Sequence, residues 1–255
     1  MTSWRFAAAA AFALVAAGGL IFAFTNSAFS TDPRAAGANK EAMELLVREY
    51  LLEHPEILIE MMQRLDTRQA EEQEAMREKA LAELGKDTLL DPRIAYVTGP
   101  QGAKTTLIEF FDYRCTYCKR SVEGVKKLMK ERKDVRFAFI EFPILTESSD
   151  FAARAALAAR RQNGKYLPFH FALMEADGDL PPERVYDIAE SIGLDVARLK
   201  SDMKDASIGA AIDEVHAIAE KLQLSGTPTF VIGDRVISGG MSYDMLKEKL
   251  DGASG

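Results

Sequence analysis

The first 30 residues have a hydrophobic pattern unlike the rest of the chain. Arg5 precedes an almost uninterrupted apolar run over residues 6–24, and Ala28-Phe29-Ser30 offers a small-residue cleavage site. The run, about 19 residues, is longer than the core of most signal peptides and close to the ~20 that span a bilayer. Residues 1–30 are therefore predicted to be a signal peptide or a membrane anchor. Both alternatives keep Arg5 inside and export everything after Thr31.

Two helices are predicted next. Residues 31–39 carry little apolar content and are expected to be a flexible tether. From residue 40 to 86 the chain is rich in helix formers, and Pro55 interrupts it once. Because a proline disfavours helical geometry in the residue before it, we expect one helix to end near Glu53 and the next to begin at Pro55.

One face of this helical region is apolar. Leu51, Leu58 and Leu65 recur at heptad spacing, and residues 66–83 are highly charged. An apolar helix face needs a partner. We predict that residues 40–86 form a stalk that joins identical chains. The alternative is an arm that folds back on its own catalytic domain.

A catalytic domain is predicted over residues 88–251, and it opens with a strand, a helix and a second strand. Residues 105–113 are β-branched and aromatic, which is typical of a buried strand. Apolar positions with helical spacing follow over residues 118–132, and residues 135–142 alternate like a strand.

A long helical stretch separates this unit from the C-terminal strands. Residues 148–224 are nearly all helical in pattern, broken by glycine and proline. Residues 229–232 and 235–238 have strand patterns, and the glycine and aspartate between them suit a tight hairpin. Residues 242–250 close the domain as a helix. The predicted class is α/β, with a helical bundle inserted into a βαβ…ββα plan.

Composition and charge narrow the function. The chain has 255 residues, of which 47% are hydrophobic and 28% charged, so it is a globular protein with room for one catalytic domain and an accessory element. Its net charge of -7 argues against nucleic acid as a partner, because phosphate binding needs clustered lysine and arginine.

The two cysteines form a Cys-x-x-Cys motif, Cys115 and Cys118, at the predicted start of a helix. Positions i and i+3 of a helix lie within disulfide range, and an exported protein can keep a disulfide. Cys115 faces the unpaired N–H groups and positive dipole end of the helix, which lower the pKa of a thiol, so it is expected to attack first. Cys118 lies one turn deeper and is expected to resolve the mixed disulfide.

Other interpretations of the motif are weaker. The same spacing suits half of a zinc site, but the chain has no second pair of cysteines. Its histidines, His54, His170 and His216, lie too far apart in sequence to form a second pair of ligands. A purely structural disulfide that closes so small a loop would stabilise little. No metal and no cofactor is therefore expected. Lys119 and Arg120 either add positive potential near the thiolate or are ordinary solvated charges.

Glu109 and the Thr227-Pro228 dipeptide are further candidates. If Glu109 is buried within its apolar strand, its pKa rises and it can relay protons to and from Cys118; an exposed Glu109 would have no role. Pro228 either begins a strand as an ordinary trans proline, or is a cis proline that packs against the disulfide and leaves the Thr227 backbone free to pair with an extended substrate.

These segments together resemble a known family. Residues 109–118, Glu-Phe-Phe-Asp-Tyr-Arg-Cys-Thr-Tyr-Cys, the helical insertion, and residues 226–230, Gly-Thr-Pro-Thr-Phe, resemble the DsbA-like thioredoxin superfamily of bacterial exported oxidoreductases over about Leu89 to Leu250. With the leader and the preceding helices, the chain is most similar to the suppressor-of-copper-sensitivity C group. In that group an N-terminal helical region holds catalytic domains together as an oligomer.

The resemblance implies a thioredoxin-like fold and a role for each matching residue. Cys115 corresponds to the nucleophile and Cys118 to the resolving thiol of a redox-active disulfide, while Glu109 corresponds to the buried acid. Substrate contacts are implied for the residues around the disulfide: Thr116, Tyr117, Thr227 and the cis-proline Pro228. The chain has threonine and tyrosine between its cysteines where strongly oxidising members have proline and histidine, which disfavours strong oxidase activity.

We therefore predict a periplasmic disulfide isomerase or reductase that acts on the thiols and disulfides of exported proteins. The resemblance further implies a membrane redox partner as electron donor and a homo-oligomer, with a trimer favoured. Two alternatives stay open. One is a monomeric dithiol oxidase, and the other is a thiol metal-binding or chaperone-like module that holds a soft ion such as Cu(I), in line with a role in copper tolerance.

Overall fold

The computed structural model describes residues 33–253, and the predicted signal or anchor segment, residues 1–30, lies outside them. The chain divides between Gln63 and Arg64 into two compact units. None of the helices in the described part of the chain is both long and apolar enough to cross a membrane.

The first unit consists of helix α1, Pro33–Glu53, and the beginning of helix α2, Glu56–Leu84. Residues 33–39, which we expected to be a tether, are helical. Proline suits the first helical position because its missing N–H would be unpaired there in any case, and the alanines that follow are strong helix formers. Pro55 separates the helices as predicted, although α2 begins one residue later than expected.

The apolar side chains of the first unit are exposed in the single chain. They lie on both helices, and five of them, Met43, Val47, Leu51, Leu52 and Leu58, line a groove formed by α1 and the start of α2. We call them the apolar face, and they comprise Met43, Leu45, Leu46, Val47, Tyr50, Leu51, Leu52, Leu58, Ile59, Met61 and Met62. A cluster of exposed apolar side chains on two consecutive helices is typical of an interaction site.

The second unit begins with the C-terminal turns of α2, which pack on the catalytic domain. Leu81 is only 1% exposed and belongs to the domain's hydrophobic core. Arg77 Nη2 donates to the carbonyl oxygen of Gln223 at 3.2 Å, and Glu74 and Arg235 form an ion pair at 3.7 Å. The end of the predicted stalk, from Glu74 to Leu81, is therefore anchored to its own catalytic domain.

A five-stranded mixed sheet forms the centre of the catalytic domain. In chain order its strands are β1 Ala95–Thr98, β2 Thr105–Phe111, β3 Val135–Glu141, β4 Thr229–Ile232 and β5 Arg235–Ser238. Their order across the sheet is β1-β3-β2-β4-β5, with β2 and β3 parallel and the other pairs antiparallel. Strand β2 is therefore central, which explains its almost continuously apolar sequence.

The helices confirm the predicted α/β plan with an inserted bundle. Helix α3, Thr116–Glu131, connects the parallel strands β2 and β3, and helix α9, Tyr243–Ala253, closes the domain. The insertion contains α4 Glu147–Ala159, α5 Tyr166–Glu175, α6 Pro182–Ser191, α7 Val196–Asp202 and α8 Ala206–Lys221. The predicted hairpin is present, since β4 and β5 pair antiparallel on either side of the glycine and aspartate turn.

Candidate active site

Cys115 lies at the N-cap of helix α3, immediately after the central strand. Its backbone N–H donates to the carbonyl oxygen of Asp112 at 3.0 Å, and its own carbonyl accepts the first helical bond, from Lys119 N at 3.1 Å. The Cys115 sulfur accepts a hydrogen bond from Cys118 N at 3.3 Å. A sulfur in this position takes the place of a capping oxygen and faces the positive end of the helix.

The environment of Cys115 favours its thiolate. The thiolate is stabilised most by a hydrogen bond from the Cys118 side chain, and the Thr227 side chain and the backbone N–H groups of Cys118 and Tyr117 can also donate to it. They outweigh the opposing effect of partial burial and lower the pKa of Cys115 to about 6. Both cysteines are free thiols, and Cys115 retains 5% exposure whereas Cys118 has none.

Cys118 has the opposite environment. Burial raises the pKa of Cys118 well above its ordinary range, and the hydrogen bond to Cys115 and the neighbouring Glu109 add to the increase. Glu109 lies on β2 between Phe139 of β3 and Phe230 of β4 and is 4% exposed. Burial, followed by the charge of Cys115, raises the pKa of Glu109 to about 8. The structure thus places this carboxyl in the buried position, not the exposed one.

Thr227 and Pro228 face Cys115 from the other end of the chain. The bond between them is cis, and the thiol form of Cys115 donates to the carbonyl oxygen of Thr227 at 3.0 Å. The buried Thr227 hydroxyl has no hydrogen-bond partner in the described structure, so it is free to donate to the thiolate. The Pro228 carbonyl accepts from Gly239 N at 2.9 Å, which fixes the dipeptide to the segment after β5.

The side chains around the motif point in different directions. Tyr117 is 58% exposed, and the Arg120 guanidinium lies over its ring at 5.2 Å from the centroid. Thr116 is exposed as well. The Lys119 ammonium donates to the carbonyl oxygen of Ala176, and its pKa is lowered mainly by burial. Neither cation is among the groups that lower the pKa of Cys115.

Two buried carboxyl groups near the site were not singled out by sequence reasoning. Asp112 follows β2 directly and is 1% exposed, and Glu141 ends β3. Burial raises the pKa of Glu141 to about 8, although it accepts hydrogen bonds from the hydroxyls of Tyr113 at 3.0 Å and Tyr166 at 2.9 Å. The sequence feature that could have identified both carboxyl groups is an acidic residue at the end of an apolar strand.

The side chains that could bind a metal are dispersed over the described part of the chain. No group of three or more histidine, cysteine, aspartate or glutamate side chains there is arranged to hold a metal ion. The three histidines lie in separate environments: His54 contacts Glu56, His216 packs against Phe142, and His170 is buried among aromatic rings. Burial lowers the pKa of His170 to about 3, so its ring is neutral.

Two protein-family models match the chain. The model described as DSBA-like thioredoxin domain matches residues 106–251, which is more than half of the chain. The model described as copper resistance protein ScsC N-terminal domain matches residues 39–72, which include the apolar face.

Solved structures with the same fold share part of the sequence. The crystal structure of a thioredoxin-like oxidoreductase from Silicibacter pomeroyi is 43% identical with a TM-score of 0.62, and the match covers 65% of this chain and 95% of that one. Proteus mirabilis ScsC in a transitional conformation is 30% identical with a TM-score of 0.63, and the match covers 85% of this chain and 97% of that one.

Curated relatives include proteins of quite different length. Disulfide bond formation protein D of Bacillus subtilis is 26% identical over 166 residues, which are 61% of this chain and 75% of that protein. The Na(+)/H(+) antiporter NhaA 1 of Salinispora arenicola is 29% identical over 166 residues, which are 64% of this chain. The chain spans 25% of the length of that antiporter.

Proposed function

The chain belongs to the DSBA-like thioredoxin domain family and carries an N-terminal ScsC domain, and on this premise we propose that it is an exported protein disulfide isomerase or reductase that acts as a homo-oligomer. The observation that carries the proposal is the pairing of a thiol whose pKa is lowered to about 6, Cys115, with a buried thiol, Cys118, that keeps its proton. Such a pair exchanges disulfides without a cofactor.

In the first step the Cys115 thiolate attacks one sulfur of a substrate disulfide. The substrate S–S bond breaks, a mixed disulfide with Cys115 forms, and the other substrate sulfur leaves as a thiolate. A substrate strand is held by the backbone of Thr227 next to Pro228, while Thr116 and Tyr117 provide contacts on the exposed side of the site. A new substrate thiol that displaces Cys115 completes an isomerisation, because the thiolate is regenerated.

In the second pathway Cys118 resolves the mixed disulfide. The Cys115 charge is lost when the mixed disulfide forms, which removes one of the two causes that raise the pKa of Glu109. Glu109 is then more readily ionised and accepts the Cys118 proton. The Cys118 thiolate attacks Cys115 Sγ and the reduced substrate departs. Two electrons have passed from the cysteine pair to the substrate, so a membrane electron donor must reduce the pair again.

The apolar face supports the oligomeric part of the proposal. Its exposed leucine, isoleucine and methionine side chains need a cover, and a second copy of the same face supplies one of matching chemistry. The family resemblance favours a trimer. Several active sites in one assembly raise the effective concentration of thiolate around a substrate that holds more than one wrong disulfide.

The redox state of the pair in cells tests the direction of the reaction. An isomerase or reductase needs Cys115 as a thiolate, so alkylation of freshly quenched cells should find most of the protein reduced. A largely oxidised pair, together with failure to rescue a scrambled substrate protein, would instead identify a dithiol oxidase.

Covalent trapping tests the class of function. A Cys118→Ser variant cannot resolve mixed disulfides, so exported proteins should accumulate on Cys115 and be released by reductant. Cys115→Ser is the matched control and should trap none. The chain is instead a metal-binding module if Cys118→Ser traps no protein and binds Cu(I) more weakly than the wild type does.

Charge substitutions on the apolar face test the oligomer. Leu51→Glu with Leu58→Glu should reduce the mass measured by light scattering to that of one chain and impair the rescue of scrambled substrate. Reduction of a small disulfide should be unchanged. A control variant with the same added charge, Gln69→Glu with Gln73→Glu, should keep the assembly. An unchanged mass for the leucine variant would contradict self-association through this face.

A further inference from the structure

Asp112 has more hydrogen-bond partners than any role in the exchange chemistry above requires. Its Oδ1 accepts from Arg114 N at 2.7 Å and from Ser149 Oγ at 2.7 Å, and its Oδ2 accepts from Ile144 N at 2.9 Å and Leu145 N at 3.1 Å. The carboxyl is 1% exposed. All four donors are satisfied by one side chain that water does not reach.

These donors come from three separate segments. Arg114 belongs to the turn that carries Cys115, Ile144 and Leu145 to the loop after β3, and Ser149 to the first turn of α4. The Asp112 backbone serves the same turn, because its carbonyl accepts from Cys115 N at 3.0 Å and its N–H faces the Cys118 sulfur. Asp112 therefore ties the active-site turn to the start of the helical insertion.

The carboxylate form suits this arrangement in a way that an amide cannot. Three of the four donors are backbone N–H groups, which cannot reverse their direction. An asparagine amide would turn its own NH2 towards Arg114 N–H in one orientation and towards Ile144 and Leu145 N–H in the other. Either orientation leaves buried donors facing each other, which displaces the segments that carry them.

We infer that Asp112 is a positioning residue for Cys115: its carboxylate holds the turn in which the Cys115 sulfur meets its hydrogen-bond donors. The inference rests on the proposed function, since it concerns the same nucleophile. Its physical basis is that the groups favouring the thiolate belong to α3 and to Thr227. A turn that moves by a few tenths of an ångström lengthens these short hydrogen bonds together.

The test compares Asp112→Asn with Asp150→Asn in the full chain. Asp150 follows Ser149 on α4, but its partly exposed carboxylate is paired with Arg154. The pKa of Cys115 is read from the ultraviolet absorbance of the thiolate, and reactivity from the alkylation rate at pH ~6. In Asp112→Asn the pKa should rise by about one unit, which lowers the thiolate fraction and the rate about fivefold. Asp150→Asn should match the wild type.

A folded Asp112→Asn protein with an unchanged pKa of Cys115 would overturn the inference, whatever its stability. If Asp112→Asn fails to fold, the same measurement is made on Ser149→Ala, which removes one hydrogen-bond donor and leaves the Asp112 carboxylate. A rise of the Cys115 pKa in the same direction supports the positioning role, and no rise contradicts it. Neither readout needs a protein substrate. A wild type that fails to isomerise substrates would therefore refute the proposed function without affecting the conclusion on Asp112.

Discussion

Cys115 and Cys118 are the same residue type three positions apart, yet the fold moves their pKa values in opposite directions. Donors at the helix N-terminus and from Thr227 lower the pKa of Cys115, whereas burial next to Glu109 raises that of Cys118. Under the proposed function, this difference makes Cys115 the thiol that attacks first. It also leaves a proton on Cys118 that has to be removed before the mixed disulfide can be resolved.

The first residue-scale prediction concerns pH. Alkylation of reduced protein at Cys115 should speed up from pH ~5 to ~7, with its midpoint at about 6, and then level off, because only the thiolate reacts. Mass spectrometry after short exposure to iodoacetamide measures the rate. Cys118→Ala should move the midpoint upwards, since it removes the strongest donor. A wild-type midpoint near that of a free thiol, about 8.5, would contradict the assigned environment.

The second residue-scale prediction concerns the buried acid, Glu109. Glu109→Gln keeps the size of the side chain but cannot accept the Cys118 proton, so release of a trapped substrate from Cys115 should slow about 100-fold. The first attack by Cys115 should change little. Stopped-flow mixing with a fluorescent mixed disulfide separates the two steps. Glu123→Gln, at an exposed position of α3, is the control, and equal release rates in both variants would rule out a proton relay through Glu109.

At the scale of elements, helix α2 has two different environments along its length. Before Gln63 most of its apolar side chains are exposed, and after Arg64 it contributes Leu81 to the core of the catalytic domain. The folded-arm interpretation therefore applies to the C-terminal end of α2, and the stalk remains a proposal for the part up to Gln63. The sequence could not divide them, because exposed and buried leucines follow the same helical spacing.

Leu81→Ala tests this division. Removing a fully buried leucine loses its transfer free energy and leaves a cavity, so the catalytic domain should lose about 2–5 kcal/mol of unfolding free energy. Denaturation in urea measures the loss. Met76→Ala on the same helix removes an exposed side chain and should cost less than about 0.5 kcal/mol. Similar effects of the two substitutions would mean that this end of α2 does not pack on the domain.

At the scale of the whole molecule, the redox state of the pair is linked to folding. Reduced native protein carries a thiolate at Cys115 whose pKa lies below its unfolded value, while the oxidised protein carries none. Between pH ~6 and ~8 Cys118 keeps its proton in the folded and the unfolded chain, so the unfolded reduced chain binds more protons than the native one through Cys115, and this contribution makes its stability rise with pH. This contribution is complete above the unfolded pKa and is lost as pH falls through about 6.

The stability difference between the reduced and oxidised forms should follow this linkage. The unfolding free energy of the reduced form minus that of the oxidised form should increase from pH ~6 to ~8, since the buried carboxyls titrate in both forms and cancel in large part. Above this range the unfolded chain also releases the Cys118 proton that the native chain keeps, which opposes the increase. Thermal unfolding of the full chain under matched redox conditions measures it. Reduced Cys115→Ser should lack the increase, and a difference independent of pH would show that Cys115 has an ordinary pKa in the folded protein.

The sequence by itself determined the α/β plan, the helical insertion, the Cys-x-x-Cys motif at a helix start and the apolar helix face, because each is a local pattern of residue types. Short, half-buried β1 was missed, since it exists through its pairing with β3. The residues around the sulfur depended on tertiary structure. Thr227 lies 112 positions from Cys115, and the four donors of Asp112 come from three segments.

Burial and distance were likewise decided only in three dimensions. Whether Glu109 is buried, whether Pro228 is cis, and where Lys119 points are all set by neighbours that sequence spacing does not reveal. A pKa depends on the solvent and charges within a few ångströms of a group. The sequence could therefore name the thiols and the acid, but only the packing of β2, α3 and the Thr227 segment fixed which thiol loses its proton.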